Sequence, residues 1–250
     1  MSNKKHTDIL VIGSGPGGYA AAFRAADLGR EVTLVDKDST LGGVCLNRGC
    51  IPSKTLLHIA KVLEEAESLK KMGVTFTKPT IDIDLVRDWK NKVVSQLSGG
   101  IGQMAKARKV NTLQAEATFL SDNEVQLKSE SSTEKITFDH CIIASGSSST
   151  IIPGIPFNNE NVLTSKTALD LKKIPKSLLV IGGGYIGLEM GTVFSALGSS
   201  VSLAEFLPNL LPGADPDLVK PLARKLKKEF NEIILSTKIT KVEEAKSGAM

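Results

Sequence analysis

A five-part unit written twice constrains this chain most. In the first copy the apolar run Thr7–Ile12 leads into Gly13-Ser14-Gly15-Pro16-Gly17-Gly18. An alanine-rich stretch runs to Gly29, and the run Glu31–Val35 then ends at Asp36. In the second copy Ser177–Ile181 leads into Gly182-Gly183-Gly184-Tyr185-Ile186-Gly187. A helical stretch runs to Gly198, and Val201–Ala204 then ends at Glu205. In both copies the acid lies 18 positions after the last glycine of the motif. Strand, glycine turn, helix, strand and acid in that order are the sequence form of a dinucleotide-binding βαβ unit. One glycine pattern alone is weak. Two copies in full context predict an α/β chain with two Rossmann-like three-layer domains, the second of them incomplete.

The physics of each copy is the same. The first glycine permits a tight turn, the second lets backbone approach a pyrophosphate, and the third lets helix pack on strand. The helix N-terminus offers free N–H groups and positive potential to phosphates. The carboxylate at the next strand end, Asp36 or Glu205, is placed to accept from a ribose. Glu205 favours NAD, because a carboxylate there repels the extra phosphate of NADP.

Six residues after Asp36 begins Gly42-Gly43-Val44-Cys45-Leu46-Asn47-Arg48-Gly49-Cys50-Ile51-Pro52-Ser53-Lys54. Two cysteines stand five positions apart, with a lysine four beyond the second. A close pair next to a nucleotide unit reads as redox chemistry; buried thiols or half a metal site are the alternatives. An ideal helix separates Cα atoms at i and i+5 by roughly 8.5 Å, whereas a disulfide needs about 4.4–6.8 Å. If Cys45 and Cys50 are bonded, the backbone between them is not regular helix. Asn47 and Gly49 suit a distorted turn, and Pro52 suits a helix's first turn. A Cys50 thiolate there is favoured by the helix N-terminus, with Lys54 on the same face. Cys141, beside Ile142 and Ile143, reads as a small buried hydrophobe.

Composition narrows the classes. A formal charge of +4 and 4% aromatics, with one tryptophan (Trp89), do not describe a nucleic-acid binder. The apolar run Ile9–Ile12 ends at Gly13, too short for a signal peptide core or a membrane span. The expectation is a soluble, cytoplasmic protein, where structural disulfides are rare and a close cysteine pair more often carries chemistry. No metal site is expected.

The cysteine segment resembles the active-site segment of the flavoprotein disulfide reductases, and within them that of the dihydrolipoamide dehydrogenases. The likeness extends over nearly all 250 residues and is strongest at 7–57, 81–109 and 177–230. It implies FAD on the first unit and NAD on the second. It also implies a redox disulfide in which Cys45 exchanges with a substrate dithiol and Cys50 lies against the flavin. Lys54 lies near the flavin, and Glu189 lies close to that lysine. Protein-bound dihydrolipoamide is oxidised to lipoamide, and NAD is reduced through the disulfide and FAD. Cofactor contacts carry over to Gly13, Gly15, Pro16, Gly17, Gly18, Asp36, Lys37, Gly42, Gly43, Val44, Cys45, Lys54, Ala117, Ser145 and Gly146 on the flavin side. On the NAD side they fall to Gly182, Gly183, Gly184, Tyr185, Ile186, Gly187, Glu205 and Ile239.

Within the family, Ile51-Pro52-Ser53-Lys54-Thr55-Leu56-Leu57 resembles the dihydrolipoamide dehydrogenases. Glutathione reductases use NADP and place arginines after the second acid, where Phe206-Leu207-Pro208 stands here. Mercuric reductases add a C-terminal cysteine pair. These remain alternatives, as does a flavin-binding fragment without turnover. Departures from the family pattern are Asp36 for a commoner glutamate, Arg48 for a small apolar residue, Ala117 for a frequent glycine, and Ser145 for threonine.

The expected division is an FAD-binding domain with the redox disulfide at 1–150 and an NAD-binding domain, truncated, at 151–250. Between the glycine units, 53–72 and 84–109 read as helices, the second with a kink or break at Gly99-Gly100 and Gly102. Strand-like runs follow at 112–119, 124–127 and 135–144, and Pro153, Gly154 and Pro156 form a linker. The run 238–250 reads as strand-like. The family continues through a central domain and a dimerisation domain that supplies a His–Glu base to its partner subunit. That implies a homodimer at full length, lipoyl-bearing subunits of 2-oxo acid dehydrogenase complexes as partners, and an inactive fragment. His58, four residues after Lys54, reads first as a helix-surface histidine and is the first candidate for a base only if the fragment turns over.

Overall fold

The structure, a computed structural model, describes residues 5–245 and 248–249. It divides into two compact units: 1–51 with 92–148, and 52–91 with 149–250. The expected boundary near 150 therefore has an exception, since 52–91 groups with the second unit.

The first unit is built around β1 (Lys5–Ile12), α1 (Pro16–Asp27) and β2 (Val32–Asp36), followed by α2 (Gly43–Arg48). Its remaining strands are β3 (Asn111–Gln114), β4 (Glu116–Ser121), β5 (Glu124–Lys128) and β6 (Thr133–Ile143). They form one sheet in the order β3-β2-β1-β6-β5-β4. The first four of these are parallel, and β5 and β4 add an antiparallel arm. The sequence reads 112–119 as one strand, but it is two. At Ala115 the chain leaves β2, with the Ala115 N–H still donating to Asp36 O at 2.9 Å, and β4 then pairs with β5. A continuous apolar pattern does not show a change of partner.

The central strands β1 and β2 are buried on both faces, as the middle of a crossover sheet requires. Val11, Ala22, Phe23, Val32, Leu34, Ile101 and Ala105 form one core, and Leu10, Val35, Val125, Leu127 and Phe138 another. Helix α4 (Ile83–Ala107) contributes Ile101 and Ala105. It runs uninterrupted through Gly99, Gly100 and Gly102, so the expected break does not occur. Each glycine costs a helix about 1 kcal/mol, which packing of the flanking turns outweighs.

The second unit repeats the pattern with β7 (Ser177–Ile181), α6 (Tyr185–Ala196), β8 (Ser200–Ala204), α7 (Pro216–Glu229) and β9 (Glu232–Ile234), after the short helix α5 (Ser165–Leu169). The strands are parallel in the order β7-β8-β9. Helix α3 (Cys50–Ser68) turns Pro52, Leu56 and Ala60, four apart, inward, and leaves Cys50, Lys54 and His58 exposed. Leu56 joins the core of Leu188, Val193, Phe194, Val201 and Leu203. Arg87 and Lys90 of α4 donate to the carbonyls of Leu169, Asp170 and Leu171 at the end of α5. Of the strand-like run at 238–250, only β10 (Glu244–Ala245) and β11 (Gly248–Ala249) are strand. Residues 246, 247 and 250 of that expectation lie outside the described residues. Among the described residues no helix is long and apolar enough to cross a membrane.

Candidate functional site

The two glycine turns have the same construction bond for bond. Gly13 N donates to Val35 O at 2.7 Å, and Gly182 N to Ala204 O at 2.8 Å. Both glycines have positive φ, 101° and 104°. The last glycine of each motif faces the first one's carbonyl. A Cβ on Gly18 would lie 1.7 Å from Gly13 O, and one on Gly187 would lie 2.4 Å from Gly182 O. No side chain larger than hydrogen fits either place.

The acids close each turn. Asp36 Oδ2 accepts from Ser14 N at 2.6 Å and from Ser14 Oγ at 2.7 Å, while Oδ1 accepts from Asp38 N at 2.9 Å. Glu205 Oε2 accepts from Gly183 N at 2.5 Å, and Oε1 from Leu207 N at 2.7 Å. Each carboxylate thus holds the turn's second residue and the residue two beyond itself. The ribose role expected of these acids is joined by a bracing role that sequence reading missed. Burial works against ionisation of Asp36, yet the hydrogen bonds from Asp38, Ser14 and Lys37 outweigh it and hold the carboxyl below its ordinary value.

Helices α1 and α6 each start at a glycine N-cap with no side-chain cap and no acid in the first turn. Their leading N–H groups are left to an anion, which is what a dinucleotide pyrophosphate requires. Pro16 opens α1, where its missing N–H costs nothing. Tyr185 and Ile186 stand exposed at the start of α6. Ala144 N donates to Ile12 O at 2.8 Å, and Gly13 approaches Ala144 and Ser145 so closely that a Cβ would meet them. The Ala144-Ser145-Gly146 segment therefore returns to the first turn.

The cysteine segment is seated on that same turn. Gly42 N donates to Ser14 O at 2.9 Å. Gly43 has φ 58°, and a Cβ on it would lie 2.6 Å from Gly15 Cα. The next two residues are Val44, exposed, and Cys45, partly buried. Helix α2 stops at Arg48, Gly49 takes φ −148° and ψ −108°, and α3 starts at Cys50, which is exposed. The backbone between the cysteines is thus broken at one residue, and Gly49 folds against Val44 O and Cys45 Cα. Three side chains absent from the sequence-level set hold the segment. Arg48 Nη2 donates to Asp38 Oδ2 at 2.5 Å, and Asn47 Nδ2 and Ser98 Oγ both donate to Leu41 O. Asn47 and Arg48 stand out in the sequence, as a turn former and as a departure from the family pattern, but Ser98 and the Asp38 partner do not.

In the second unit Lys54 Nζ donates to Glu189 Oε1 at 2.6 Å. A cleft of about 310 Å³ is lined by Gly182, Glu205 and Ile239, together with Pro153, Phe206 and Lys241. In the first unit Ala117 lies on β4, two residues after the Ala115 N–H that donates to Asp36 O, where it pairs with Leu127 and packs on the core of the antiparallel arm. Lys37 is exposed beside Asp36, and His58 is exposed on α3.

The doubled glycine turn with a two-cysteine segment seated on the first copy is the pattern of a nucleotide-linked thiol–disulfide protein. The family model described as pyridine nucleotide-disulphide oxidoreductase matches residues 7–249, and the chain belongs to that family. It is 46% identical to dihydrolipoyl dehydrogenase of Vibrio cholerae over 99% of this chain and 52% of that protein. It is 45% identical to dihydrolipoyl dehydrogenase of Bacillus subtilis over 97% of this chain and 51% of that protein. Among solved structures it matches the Cu(II) complex of HOCl-induced flavoprotein disulfide reductase RclA from Escherichia coli. The TM-score is 0.83 at 27% identity, over 99% of this chain and 52% of that one. The chain spans about half the length of the curated relatives it matches.

Proposed function

We propose that this chain supplies the FAD site, the redox cysteine pair and the NAD-binding unit of an enzyme that oxidises protein-bound dihydrolipoamide to lipoamide. One observation carries the reading: the Cys45 helix starts on the backbone of the first glycine turn, through Gly42 N to Ser14 O and the Gly43–Gly15 approach. A dithiol chemistry built there is in reach of whatever that turn binds. The choice of dihydrolipoamide rests on the relatives' names. A homodimeric state, a cytoplasmic location and lipoyl-bearing partner subunits of 2-oxo acid dehydrogenase complexes belong to this reading through the family resemblance of the cysteine segment.

In this reading Cys45 and Cys50 form a disulfide in the resting state. A substrate thiolate attacks Sγ of Cys45 and forms a mixed disulfide, and Cys50 leaves as thiolate. The substrate's second sulfur then attacks the mixed disulfide, closing its ring and releasing Cys45 as thiol. Gly49 permits the break that lets two positions five apart approach. The uncapped start of α1 and the turn at Gly13–Gly18 would hold the pyrophosphate of FAD, with Asp36 also toward its ribose. FAD, when bound, supplies an acceptor for the dithiol's electron pair and a hydride donor to NAD. Gly182–Gly187 and the start of α6 would hold NAD, and Glu205 disfavours a 2′-phosphate beside it. The Lys54–Glu189 pair holds a cation four residues after Cys50 on α3.

The test is reduction of the FAD-loaded full-length dimer by dihydrolipoamide, followed by flavin absorbance, in wild type, Cys45→Ser and Cys50→Ser. Bleaching in wild type and its loss in both variants is expected. Equal bleaching in the Cys45→Ser variant would overturn the reading. NAD should bind at least ten-fold more tightly than NADP, about 1.4 kcal/mol.

A further inference from the structure

We propose that His6, Asp8 and Asp139 form a binding site for a divalent transition-metal ion, of the kind Zn²⁺ and Co²⁺ represent. The site lies in the first unit, on the β1–β6 pair, and draws on none of the residues assigned to nucleotides or thiol chemistry.

The placement follows from strand geometry. His6 and Asp8 are two apart on β1, so both side chains leave the same face. The parallel register pairs His6 with Thr137 and Ile9 with His140, which sets Asp139 beside Asp8. One ring nitrogen of His6 and one oxygen from each carboxylate lie within 4.8 Å of one another. A tetrahedral ion bonded at about 2.0–2.2 Å sets its ligands roughly 3.4 Å apart, a spacing that His6 Nε2 and Asp139 Oδ1 already have at 3.5 Å and that the Asp8 carboxylate must reach by side-chain rotation.

Hydrogen bonding outside the triad sets which atoms face its centre. Thr137 Oγ1 donates to Lys5 O at 3.3 Å, so its single proton is committed. Its 3.0 Å contact with His6 Nδ1 is then one in which Nδ1–H donates. Neutral His6 therefore carries its proton on Nδ1, and the lone pair of Nε2 points outward. That lone pair faces Asp139 Oδ1 at 3.5 Å. Two acceptors so placed repel unless a cation stands between them. Asp8 is fixed in a similar way: its Oδ2 accepts from Glu31 N at 3.0 Å, which orients the other oxygen. Among the described residues no lysine or arginine pairs with Asp8 or Asp139; nearby Lys5 is engaged by Glu134. A ring N–H bonded away from the site is the usual support of a metal-ligating histidine.

One imidazole and two carboxylates suit Zn²⁺, Co²⁺ or Mn²⁺ rather than a soft ion. Three ligands leave positions open for water. The bound ion would clip the first half of β1 to the middle of β6. A proton on Nε2 is the competing cation, and it would make the triad an ordinary surface ion pair.

The test is a Co²⁺ titration read in the visible spectrum, where ligand-field bands report nitrogen and oxygen donors and charge-transfer bands report thiolate. Cys45 and Cys50 could also take the ion, so a Cys45→Ser/Cys50→Ser variant is titrated in parallel. Expected are one site that persists in the double cysteine variant, and at least ten-fold weaker binding in His6→Ala and in Asp139→Asn. Zn²⁺ should raise the melting temperature of the double cysteine variant, and that rise should vanish when His6→Ala is added. These positions are half-exposed, and unchanged circular dichroism confirms the fold of each variant. Unaltered Co²⁺ affinity in both variants, or a signal confined to thiolate charge transfer and lost with the cysteines, overturns the proposal.

Discussion

Lys54 Nζ donates to Glu189 Oε1 at 2.6 Å, linking the fifth residue of α3 to the fifth residue of α6. The pair is lopsided: the lysine side chain is 60% exposed and the glutamate 23%. Solvent screens such a contact, and it contributes under about 1 kcal/mol to stability. Glu189→Ala is therefore expected to leave the melting temperature within a few degrees. If the lysine serves the thiol chemistry, the same change slows flavin reduction by dihydrolipoamide roughly ten-fold, the scale of one charge-assisted hydrogen bond. Stopped-flow traces at equal flavin content read this directly. An unchanged rate would leave Glu189 as a helix carboxylate with a surface partner.

The glycine turns allow the two nucleotide roles to be separated. Gly18→Ala drives a Cβ into Gly13 O, and Gly187→Ala drives one into Gly182 O. Backbone cannot yield as a side-chain tip does, so each change is expected to cost about 2 kcal/mol or more. Gly18→Ala should abolish flavin retention. Gly187→Ala should leave flavin bound and weaken NAD. Isothermal titration of both ligands with both variants checks this, and loss of flavin in Gly187→Ala would contradict the assignment.

Arg48 stands where the family pattern carries a small apolar residue, and the structure gives it a task. Its guanidinium pairs with Asp38, and both side chains are largely covered. Asp38 also gives its N–H to Asp36, so the ion pair ties the stretch between the cysteines to the end of β2. A double-mutant cycle with Arg48→Val and Asp38→Asn should show a coupling energy of about 1 kcal/mol in urea unfolding. Additive effects of the two changes would show that the contact carries no energy.

What the sequence disclosed and what it hid divide along a physical line. Turns that only glycine can make, at Gly13, Gly18, Gly182 and Gly187, are legible because sterics leave no other residue. The break at Gly49 is legible because glycine is a poor helix former between two short helical runs. The helix at 83–107 was misread as broken because glycine propensity is a weak local term, and burial of Ile101 and Ala105 outweighs it. The split at Ala115 was invisible because apolar alternation does not name a strand's partner. The bracing contacts of Asp36 were invisible because spacing gives position but not hydrogen-bond partners. Ser98, 57 residues from the Leu41 carbonyl it holds, had no sequence signal at all.

The carboxyl of Asp36 makes the bracing role testable by acid. Burial raises its cost of ionisation, but hydrogen bonds to the charged form prevail, so its folded value lies below 3.8. Between the folded and unfolded values the unfolded chain binds more protons, so stability rises with pH there. The contribution is fully present above the unfolded value, about 3.9, and is lost as pH falls through the folded one. In Asp36→Asn the amide has one acceptor oxygen and one NH₂ group. It cannot accept from Ser14 on one side and Asp38 on the other. The variant should thus be less stable than wild type near neutral pH, and the gap should narrow below pH 3.8. Urea midpoints of both proteins from pH 7 downward measure that gap, and titrations common to both cancel in the difference. A gap that stays constant across the range would mean that Asp36 braces the turn without being linked to protons.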